Sequence, residues 1–463
     1  MYSISFIIFM IQKKLDKLIS APQVPLRRVL RDLYGNAEQI CLVCGPRQKL
    51  LGVVTITDIK QALMKGIDPQ APIHEVMNIK FISAPQNISN AKLTRLAALP
   101  SPYGTGPIGK IPLLDEEGSV TSLYISPKLK ESPQVTVMVT GGAGYLGSIV
   151  CRMLLKKGYR VIALDKLLFG KEGIRELLKN KNFTLIEGDI ADIGTLVQAV
   201  PGVDSVIHLA GIVGDPASSL NPLQTMEENH FATKVLVDIC AHYQVSRFVF
   251  ASSCSVYGAS PDVLDETSKL NPVSLYARSK LYSEREILKA GSKEFHPVIM
   301  RFGTLYGVSP RMRFDLVVNI MTANGYFNKK VMVDGGAQWR PLVHVTDAAR
   351  ACIAAMEAPL SVAAGHIFNV GDTDENYRIE DIARAVTKSI PGVALDMRDT
   401  VKDRRDYRVT FSKIQKLLGF KAQYTLAKGI RELTAQMKKG HFKDWNQKKY
   451  SNYLTLKNNL EVL

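Results

Sequence analysis

The chain has 463 residues, 46% of them hydrophobic and 22% charged, so it is long enough for two or three domains with substantial cores. A formal net charge of +16 is compatible with nucleic-acid binding, but the basic residues are scattered and no nucleic-acid-binding motif accompanies them. Six cysteines without a regular spacing argue against a disulfide-rich secreted domain and suit a reducing compartment.

The first residues, MYSISFIIFMI, form an apolar stretch of about eleven residues that is followed by lysines. This stretch is too short to span a bilayer and has the wrong charge order for a signal peptide, and either Met1 or Met10 could be the start. No other segment approaches the length of a membrane span. We therefore expect a cytoplasmic protein without membrane contact.

Cys41 and Cys44 form a CxxC motif within the apolar stretch ICLVC. No second cysteine pair and no nearby histidine completes a zinc site, and the stretch is typical of a buried strand. We therefore predict no metal site.

A weak internal repeat occupies roughly the first 130 residues, because LVCGPRQKLLGVVTITDI (42–59) is echoed by LLDEEGSVTSLYIS (113–126) at an offset of 70. Each copy is predicted to be strand, turn, strand, and QVPLRRVLRDLYG and NAKLTRLAAL are predicted helices. Together, residues 10–128 resemble a pair of CBS domains, small α/β modules that often bind adenosine nucleotides. The most similar stretch is GVVTITDIKQALMKG followed by PIHEVMN.

The resemblance implies that Thr55 and Asp58 contact the ribose and phosphate of an adenine nucleotide. The second copy departs from this pattern, since its aligned residues at Gly52, Thr55 and Asp58 are Ser122, Ile125 and Lys128. Only one site therefore keeps its polar partners. The alternative is a structural or dimerising pair that binds no nucleotide.

Residues 129–134 belong to a linker rich in proline, serine and lysine, SPKLKESPQ, which predicts a domain boundary. From 135 to about 440 strands and helices alternate, which predicts an α/β fold with a doubly wound parallel sheet and a smaller C-terminal substrate-binding part. Residues 441–463 are basic and irregular, and we expect them to form a surface tail.

Residues 135–147, VTVMVTGGAGYLG, predict a buried strand that ends in a glycine-rich turn, and the helix SIVCRMLLKKG and the strand YRVIALD follow. In this context Gly142, Gly144 and Gly147 fit the GxGxxG fingerprint of dinucleotide-binding folds. Asp165 ends the second strand, where a carboxylate bonds the adenosine ribose and repels a 2′-phosphate, so NAD is favoured over NADP. The adjacent Lys166 weakens that preference slightly.

Three further predicted strands end in small or polar residues: FTLIEGDIAD (183–192), SVIHLAG (205–211) and RFVFASSCSVYG (247–258). Ligands of open α/β sheets bind at this carboxyl edge. We expect Asp189 and Ile190 to flank the adenine. The residues Leu209, Ala210 and Gly211 are expected to contact the rest of the cofactor.

SLYARSK places Tyr276 and Lys280 four residues apart, on one face of a helix. A phenol is a poor base near neutral pH, because its unperturbed pKa is ~10, unless a nearby cation stabilises the phenolate. Lys280 is predicted to supply that charge, with oxidised nicotinamide as a second one. The hydroxyl of Ser253 is expected to hold the same substrate oxygen.

Residues 135 to about 435 resemble the extended short-chain dehydrogenase/reductase family, in its sugar-nucleotide epimerase and dehydratase group. The matching segments are TGGAGYLG, GDI, HLAG, ASSCSVYG, YARSK and WRPLVHVTD. The resemblance implies a catalytic triad of Ser253, Tyr276 and Lys280, and a role for Asn229 in supporting the active-site lysine. It also implies the following cofactor contacts: Gly141, Gly142, Gly144, Tyr145, Leu146, Gly147, Asp165, Asp189, Ile190, Leu209, Ala210, Gly211, Asn229, Tyr276 and Lys280.

The substrate implied by the resemblance is a nucleotide-diphosphate sugar, and arginine suits a diphosphate through its forked, permanently charged donors. Arg340 precedes PLVHV where the family has such an arginine. SPRMRFDLVVN (309–319) and DRRDYRVTFSK (403–413) are similar to stretches of enzymes that modify nucleotide-linked hexoses or heptoses. They provide four more candidates: Arg311, Arg313, Arg404 and Arg405. A surface salt bridge is the alternative for each arginine.

The expected reaction is oxidation at C4 of the sugar by NAD, with Tyr276 as base, to give a 4-keto sugar. Dehydratases of this fold usually have an acidic pair after the residue matching Ser253, but here the pair is Cys254 and Ser255. Epimerisation is therefore favoured. Net C4 oxidation or ketone reduction, a catalytically silent dinucleotide sensor and a nucleic-acid-binding protein are the alternatives, and a homodimer is expected by resemblance.

Overall fold

The computed structural model describes residues 10–12, 15–35, 38, 40–64, 66–97, 108–126, 135–398 and 405–461. The chain divides into two compact units, Met1–Pro133 and Gln134–Leu463. The predicted linker 129–134 and Arg404 lie outside the described residues.

The first unit contains two small sheets, with strand orders β1-β7-β6-β5 and β2-β3-β4 in its described part. Its strands are β1 (Met10–Gln12), β2 (Ile19–Ser20), β3 (Ile40–Cys44), β4 (Leu50–Thr55), β5 (Ala84–Pro85), β6 (Lys110–Leu114) and β7 (Val120–Ile125). Its helices are α1 (Leu26–Gly35), α2 (Ile56–Met64) and α3 (Asn90–Ala97).

The internal repeat is visible as two hairpins of the same construction. Strands β3 and β4 pair antiparallel, with an irregularity between Val43 and Cys44. Strands β6 and β7 pair in the same way, with the irregularity between Leu113 and Leu114, the residues at the predicted offset. Cys41 and Cys44 lie in the buried strand β3, where burial raises the pKa of the Cys41 thiol to about 12.

The second unit is built on a seven-stranded parallel sheet within the described residues, in the order β10-β9-β8-β11-β12-β14-β18. Strand β8, the third in this order, is buried on both faces, as Val137, Met138 and Val139 show, because helices cover the two sides of a parallel sheet. The sheet strands are β8 (Thr136–Thr140), β9 (Arg160–Asp165), β10 (Phe183–Glu187), β11 (Ser205–His208), β12 (Arg247–Ser253), β14 (His296–Phe302) and β18 (Ile367–Val370).

The described residues of the second unit also form three smaller sheets, with strand orders β13-β21, β15-β17-β19 and β16-β20. The strands are β13 (Ala259–Leu264), β15 (Thr304–Tyr306), β16 (Lys330–Asp334), β17 (Trp339–His344), β19 (Asn376–Arg378), β20 (Ala394–Arg398) and β21 (Asp406–Val409). Residues Val263 and Leu264 of β13 pair with Arg408 and Val409 of β21.

The helices of the second unit follow the strands in alternation. They are α4 (Gly147–Lys156), α5 (Ile193–Ala199), α6 (Asp215–Ser218), α7 (Pro222–Met226), α8 (Ala232–His242), α9 (Leu275–Lys289), α10 (Val317–Ala323), α11 (Val345–Glu357), α12 (Leu360–Ala363), α13 (Ile379–Ser389), α14 (Ser412–Leu418), α15 (Leu426–Lys438) and α16 (Asn452–Glu461). Across the described part of the chain, every helix is too short or too polar to cross a bilayer.

The segment after residue 440 differs from the surface tail that the sequence predicts. The backbone amide of Phe314 donates to the carbonyl oxygen of Tyr450 at 2.9 Å, and helix α16 follows. A backbone hydrogen bond and aromatic contacts to Phe314 hold this segment against the rest of the second unit. The prediction missed this because lysines and asparagines separate the apolar residues of the segment, so no regular pattern is visible.

Candidate active site

The glycine-rich turn between β8 and α4 forms one wall of a pocket at the carboxyl edge of the sheet. Gly141 has a φ of 71°, and its amide donates to the carbonyl oxygen of Leu164 at 2.8 Å. A Cβ added at Gly147 would lie 2.1 Å from the carbonyl oxygen of Gly141, so the helix can start this close to the strand only without a side chain. The pocket is lined at this wall by Gly141, Gly144, Tyr145, Leu146 and Gly147.

Gly142 does not line the pocket, and its role as a cofactor contact stays a prediction. A Cβ on Gly142 would come within 2.7 Å of the Cβ of Ala163 on the neighbouring strand β9. Its bare backbone therefore serves packing of the turn against the sheet. The first glycine of the pocket is Gly141.

Asp165 ends β9 at the lip of the same pocket, as predicted from its distance to the glycines. One carboxylate oxygen accepts from the amide of Ala143 at 2.9 Å and the other from the amide of Leu167 at 2.8 Å. Burial raises the pKa of Asp165, against these hydrogen bonds. The carboxylate is thus fixed beside the glycine turn.

Lys166 is paired with two carboxylates, so its charge is not open to a ligand in the way the sequence suggests. Its Nζ lies 3.1 Å from Asp189 and 2.8 Å from Glu228. Burial lowers the pKa of Lys166, but the two carboxylates outweigh this effect and the pKa is raised. Glu228 lies in a π-helical turn (227–231), a feature often found at functional sites, and sequence reasoning missed it.

The remaining predicted cofactor contacts come from two loops. Asp189 and Ile190 line the pocket after β10, and Leu209, Ala210 and Gly211 line it after β11.

Asn229 lies behind the pocket. Its Oδ1 accepts from the amide of Ile212 at 2.7 Å, and its Nδ2 donates to the Ile212 carbonyl and to the hydroxyl of Ser279. Asn229 therefore connects the loop after β11 to helix α9.

Ser253, Tyr276 and Lys280 line this same pocket. Ser253 is the last residue of β12, and Tyr276 lies in the first turn of α9, whose N-cap Ser274 accepts from the amide of Ala277 at 3.2 Å. The Ser253 hydroxyl lies close enough to lower the pKa of Tyr276. The three predicted catalytic side chains are thus brought together from a strand end and one helix face.

Tyr276 is half-buried at the wall of the pocket, and its surroundings disfavour the phenolate. Burial, and then the charge of Asp215, raise the pKa of Tyr276 to about 12, while Ser253 and Arg313 lower it. Without a bound ligand the phenol is therefore neutral near neutral pH. The structure adds Arg313 to the cations that the sequence places beside this hydroxyl.

Lys280 lies below the tyrosine on the same helix face. Its Nζ is 4.7 Å from the centroid of the Phe250 ring and 5.9 Å from that of Tyr276. Burial lowers the pKa of Lys280 to about 8, against the opposing effect of Glu284. A lysine with this pKa can exchange a proton near neutral pH.

Asp215, the first residue of α6, is a pocket residue that sequence reasoning did not find. Its Oδ1 accepts from the hydroxyl of Ser274 at 2.7 Å, and its Oδ2 lies 3.0 Å from Nη1 of Arg405. In the sequence, only its position after β11, a strand that ends at the ligand-binding edge of the sheet, indicates a site residue. Asp215 joins the catalytic helix to the arginine side of the pocket.

Four of the five predicted substrate arginines line the pocket: Arg311, Arg313, Arg340 and Arg405. Arg313 forms a two-pronged pair with Asp315, at 2.9 and 3.0 Å. Arg340 is buried, and its Nη1 donates to the carbonyl oxygens of Trp339 and Arg405. These contacts fix the positions of Arg313 and Arg340 around the pocket, and the binding of substrate by the arginines stays a prediction.

The C-terminal segment also reaches the pocket, through Asn452 and Leu456. The amide of Asn452 donates to Oδ2 of Asp315 at 2.9 Å, the oxygen that also accepts from Arg313. The segment therefore helps to fix an arginine of the site.

In the first unit, Thr55 and Asp58 bond each other at the start of α2. The Thr55 amide and hydroxyl both donate to Oδ2 of Asp58, at 2.8 and 2.6 Å. The Asp58 amide in turn approaches the Thr55 hydroxyl at 3.4 Å. This reciprocal arrangement caps the helix, and a nucleotide contact of the two residues stays a prediction.

The pocket of the second unit fits a dinucleotide. Side-chain-free backbone at the N-terminus of α4 suits a pyrophosphate, and the fixed carboxylate of Asp165 suits ribose hydroxyls. In agreement, residues 137–371 match the model of the NAD dependent epimerase/dehydratase family.

The chain belongs to the NAD-dependent epimerase/dehydratase family.

Relatives within this family differ in reaction. The chain is 31% identical over 251 residues, 51% of this chain and 77% of the relative, to an uncharacterised UDP-glucose epimerase of Bacillus subtilis. It is 29% identical to a dTDP-glucose 4,6-dehydratase of Streptomyces niveus over 64% of this chain and 90% of that one. A crystal structure of UDP-glucuronic acid 4-epimerase from Bacillus cereus, with UDP-glucuronic acid and NAD, matches with a TM-score of 0.60 and 27% identity. That match covers 66% of this chain and all of the other.

Membership of the epimerase/dehydratase family establishes NAD as the cofactor and nucleotide sugars as the class of ligand that relatives bind. It does not fix the reaction. The two residues after Ser253 are informative here. Cys254 is buried and its thiol donates to the carbonyl oxygen of Arg301, while Ser255 faces the pocket.

Proposed function

We propose that the protein is an NAD-dependent epimerase that acts at C4 of a nucleotide-diphosphate sugar. The observation that carries the proposal is the convergence of Ser253, Tyr276 and Lys280 in one pocket that also holds four arginines. A base, an orienting hydroxyl and a diphosphate site within one pocket suit oxidation of a sugar hydroxyl.

The bound NAD would supply the acceptor and donor of hydride. Residues that would hold it are the glycine turn, Asp165 and the loops after β10 and β11. The protein's own part is proton transfer. Tyr276 would take the proton of the C4 hydroxyl while Ser253 holds that oxygen, and a positive charge from Lys280 and Arg313 would favour the phenolate.

The substrate diphosphate is proposed to bind at Arg313, Arg340 and Arg405. Arg405 forms an ion pair with Asp215, which affects the pKa of the catalytic Tyr276. Arg313 affects that pKa directly, so both arginines lie near the tyrosine. A diphosphate there would place its sugar against Tyr276. Guanidinium groups that are already oriented lose little freedom on binding the phosphates.

Epimerisation is favoured over dehydration because Cys254 and Ser255 offer no carboxyl as an elimination acid. The pocket does contain Asp215, but both of its oxygens are occupied by Ser274 and Arg405. Asp215 is therefore suited to orient Ser274 and Arg405, and less suited to donate a proton to a leaving group. Net oxidation at C4 or reduction of a ketone is the second candidate, since it needs the same residues.

The test is incubation of the full chain with UDP-, GDP-, CDP- and dTDP-sugars, with product analysis by NMR and NADH absorbance. Epimerisation gives a C4 epimer of unchanged mass without a lasting NADH signal. Accumulation of NADH with a product lighter by two hydrogens would support the dehydrogenase instead. Binding of nucleotide sugars without any turnover would favour the alternative that the protein is a catalytically silent dinucleotide sensor.

For the first unit we propose a CBS-like pair that regulates the enzyme through an adenine nucleotide. Support comes from the two hairpins at an offset of 70 residues and from the resemblance around Thr55 and Asp58. Addition of ADP or ATP should then raise the melting temperature and change turnover. No response in either would leave the unit a structural or dimerising element, which light scattering of the full chain can test.

A further inference from the structure

Arg311 is a buried cation whose charge is not balanced within the structure. Its side chain is only 6% exposed, and its Nε and Nη2 have no hydrogen-bond partner among the residues that the structure describes. A charge removed from water is costly unless it is paired and hydrogen-bonded. Arg311 is therefore suited to bind an anion that the described residues do not supply.

The surroundings of Arg311 belong to the cofactor side of the pocket. Its guanidinium carbon lies 4.0 Å from the centroid of the Phe169 ring, in the loop after β9. A Cβ on Gly173 would be 2.9 Å from the Cβ of Arg311 and 3.4 Å from the Ala143 carbonyl oxygen of the glycine turn. Arg311 thus packs between the loop after β9 and the glycine turn.

The carboxylates near Arg311 are occupied by other groups. Asp165 accepts from the amides of Ala143 and Leu167, and Asp315 accepts from Arg313. Burial and the charge of Arg313 lower the pKa of Arg311 to about 10, and Asp315 and Asp165 only partly oppose this. The guanidinium stays charged near neutral pH and faces a pocket that takes an anionic cofactor.

The arginines of the substrate side differ in this respect. Arg313 is paired with Asp315, and Arg405 is paired with Asp215. Arg313 and Asp215 each affect the pKa of the catalytic Tyr276. Arg311 instead contacts residues that follow β9. The sequence does not reveal this difference, because Arg311 and Arg313 lie two residues apart in the motif SPRMR and were assigned the same role.

We propose that Arg311 binds the pyrophosphate of NAD, and that it is not a contact of the sugar nucleotide. The glycine turn offers backbone amides to the pyrophosphate at the start of α4. Arg311 would add two forked, charged donors to the same group. This assignment rests on the NAD site of the family and is independent of the proposed C4 chemistry.

The test compares Arg311→Met with Arg405→Met in the full-length chain, freed of bound nucleotide, by calorimetric titration with NAD, ADP, adenosine and UDP. A charged hydrogen bond contributes about 1.5 to 3 kcal/mol, so R311M should weaken NAD and ADP roughly 10- to 100-fold. Adenosine, which lacks the phosphates, should bind within about twofold of the wild type, and UDP should be unaffected. R405M should weaken UDP and leave NAD unchanged.

Two results would overturn the proposal. Loss of UDP affinity with unchanged NAD affinity would make Arg311 a substrate residue, and an equal loss for adenosine and ADP would reduce it to a packing role. Should R311M fail to fold, Arg311→Lys serves the same test, because it keeps the charge and loses the forked donors. R311K should then lose roughly tenfold for NAD and ADP and none for adenosine, and unchanged ADP binding would reject the idea.

Discussion

The hydroxyl of Ser274 donates a 2.7 Å hydrogen bond to Asp215 and accepts one from the amide of Ala277 at the start of α9. One side chain thus connects an acidic residue of the pocket to the helix that carries Tyr276. Asp215 raises the pKa of Tyr276, second only to burial, while Arg313 on the facing loop and Ser253 lower it. Asp215 therefore makes the base harder to ionise.

Asp215→Asn should shift the pH profile of kcat to lower pH. A base acts in its deprotonated form, so kcat rises as pH approaches the pKa of Tyr276, and loss of the nearby negative charge lowers that pKa. Arg405→Met removes the cation paired with Asp215 and should shift the profile to higher pH. Steady-state rates at saturating substrate from about pH 6 to 10 measure both shifts. A shift of the two variants in the same direction would contradict the electrostatic account.

Tyr276→Phe should lower kcat by about 100-fold or more, because a positioned base contributes 10²–10⁴-fold. NAD binding should be nearly unchanged, since the aromatic ring is kept. Tyr282 lies on the same helix and is partly exposed, so Tyr282→Phe is a matched control that should keep full activity. Turnover of Tyr276→Phe at the wild-type rate would remove the assigned base.

Glu228→Gln should increase the affinity for NADP relative to NAD. Lys166 is paired with Asp189 and Glu228, and removal of one carboxylate leaves part of its charge for a 2′-phosphate beside Asp165. Glu227 is the exposed neighbour in the same π-helical turn, and Glu227→Gln should leave the ratio unchanged. Dissociation constants for both cofactors decide the matter, and an unchanged ratio in Glu228→Gln would mean that Lys166 does not face the ribose.

Glu284→Gln should destabilise the second unit by about 3 to 5 kcal/mol, because it leaves the buried Arg301 without its charged partner. The two side chains are each 2% exposed and lie 2.7 Å apart. Lys234 and Asp238 form an exposed pair, and Asp238→Asn should cost less than about 1 kcal/mol.

Urea unfolding followed by tryptophan fluorescence can measure this difference, since both tryptophans, Trp339 and Trp445, belong to the second unit. Equal midpoints for the Glu284 and Asp238 variants would show that the buried pair contributes little.

Local patterns predicted the frame of the site well. The glycine turn, Asp165 and the spacing of Tyr276 and Lys280 are set by residues close in the chain, so their geometry follows from strand and helix periods. The motif TGGAGYLG nevertheless allows two registers, and the fingerprint included Gly142 as a cofactor contact. Only the backbone shows that Gly141 has the positive φ and faces the pocket.

Other site residues could not be predicted because tertiary packing places them. Asp215 and Glu228 belong to short helices after β11, where no repeat or motif distinguishes them from other acidic residues. The unbalanced charge of Arg311 is likewise a property of its surroundings. Asn452 reaches the pocket from a segment whose composition indicates only a basic surface.

The position of that last segment affects how the second unit should be produced on its own. Phe314 packs edge-on against Phe442, Trp445 and Tyr450, with ring centroids 5.4 to 6.0 Å apart. A shortened chain that stops at residue 440 would leave the Phe314 ring facing water and remove the amide that supports Asp315. Such a truncation would be expected to aggregate, whereas one that begins near residue 134 and keeps the segment retains the whole aromatic cluster.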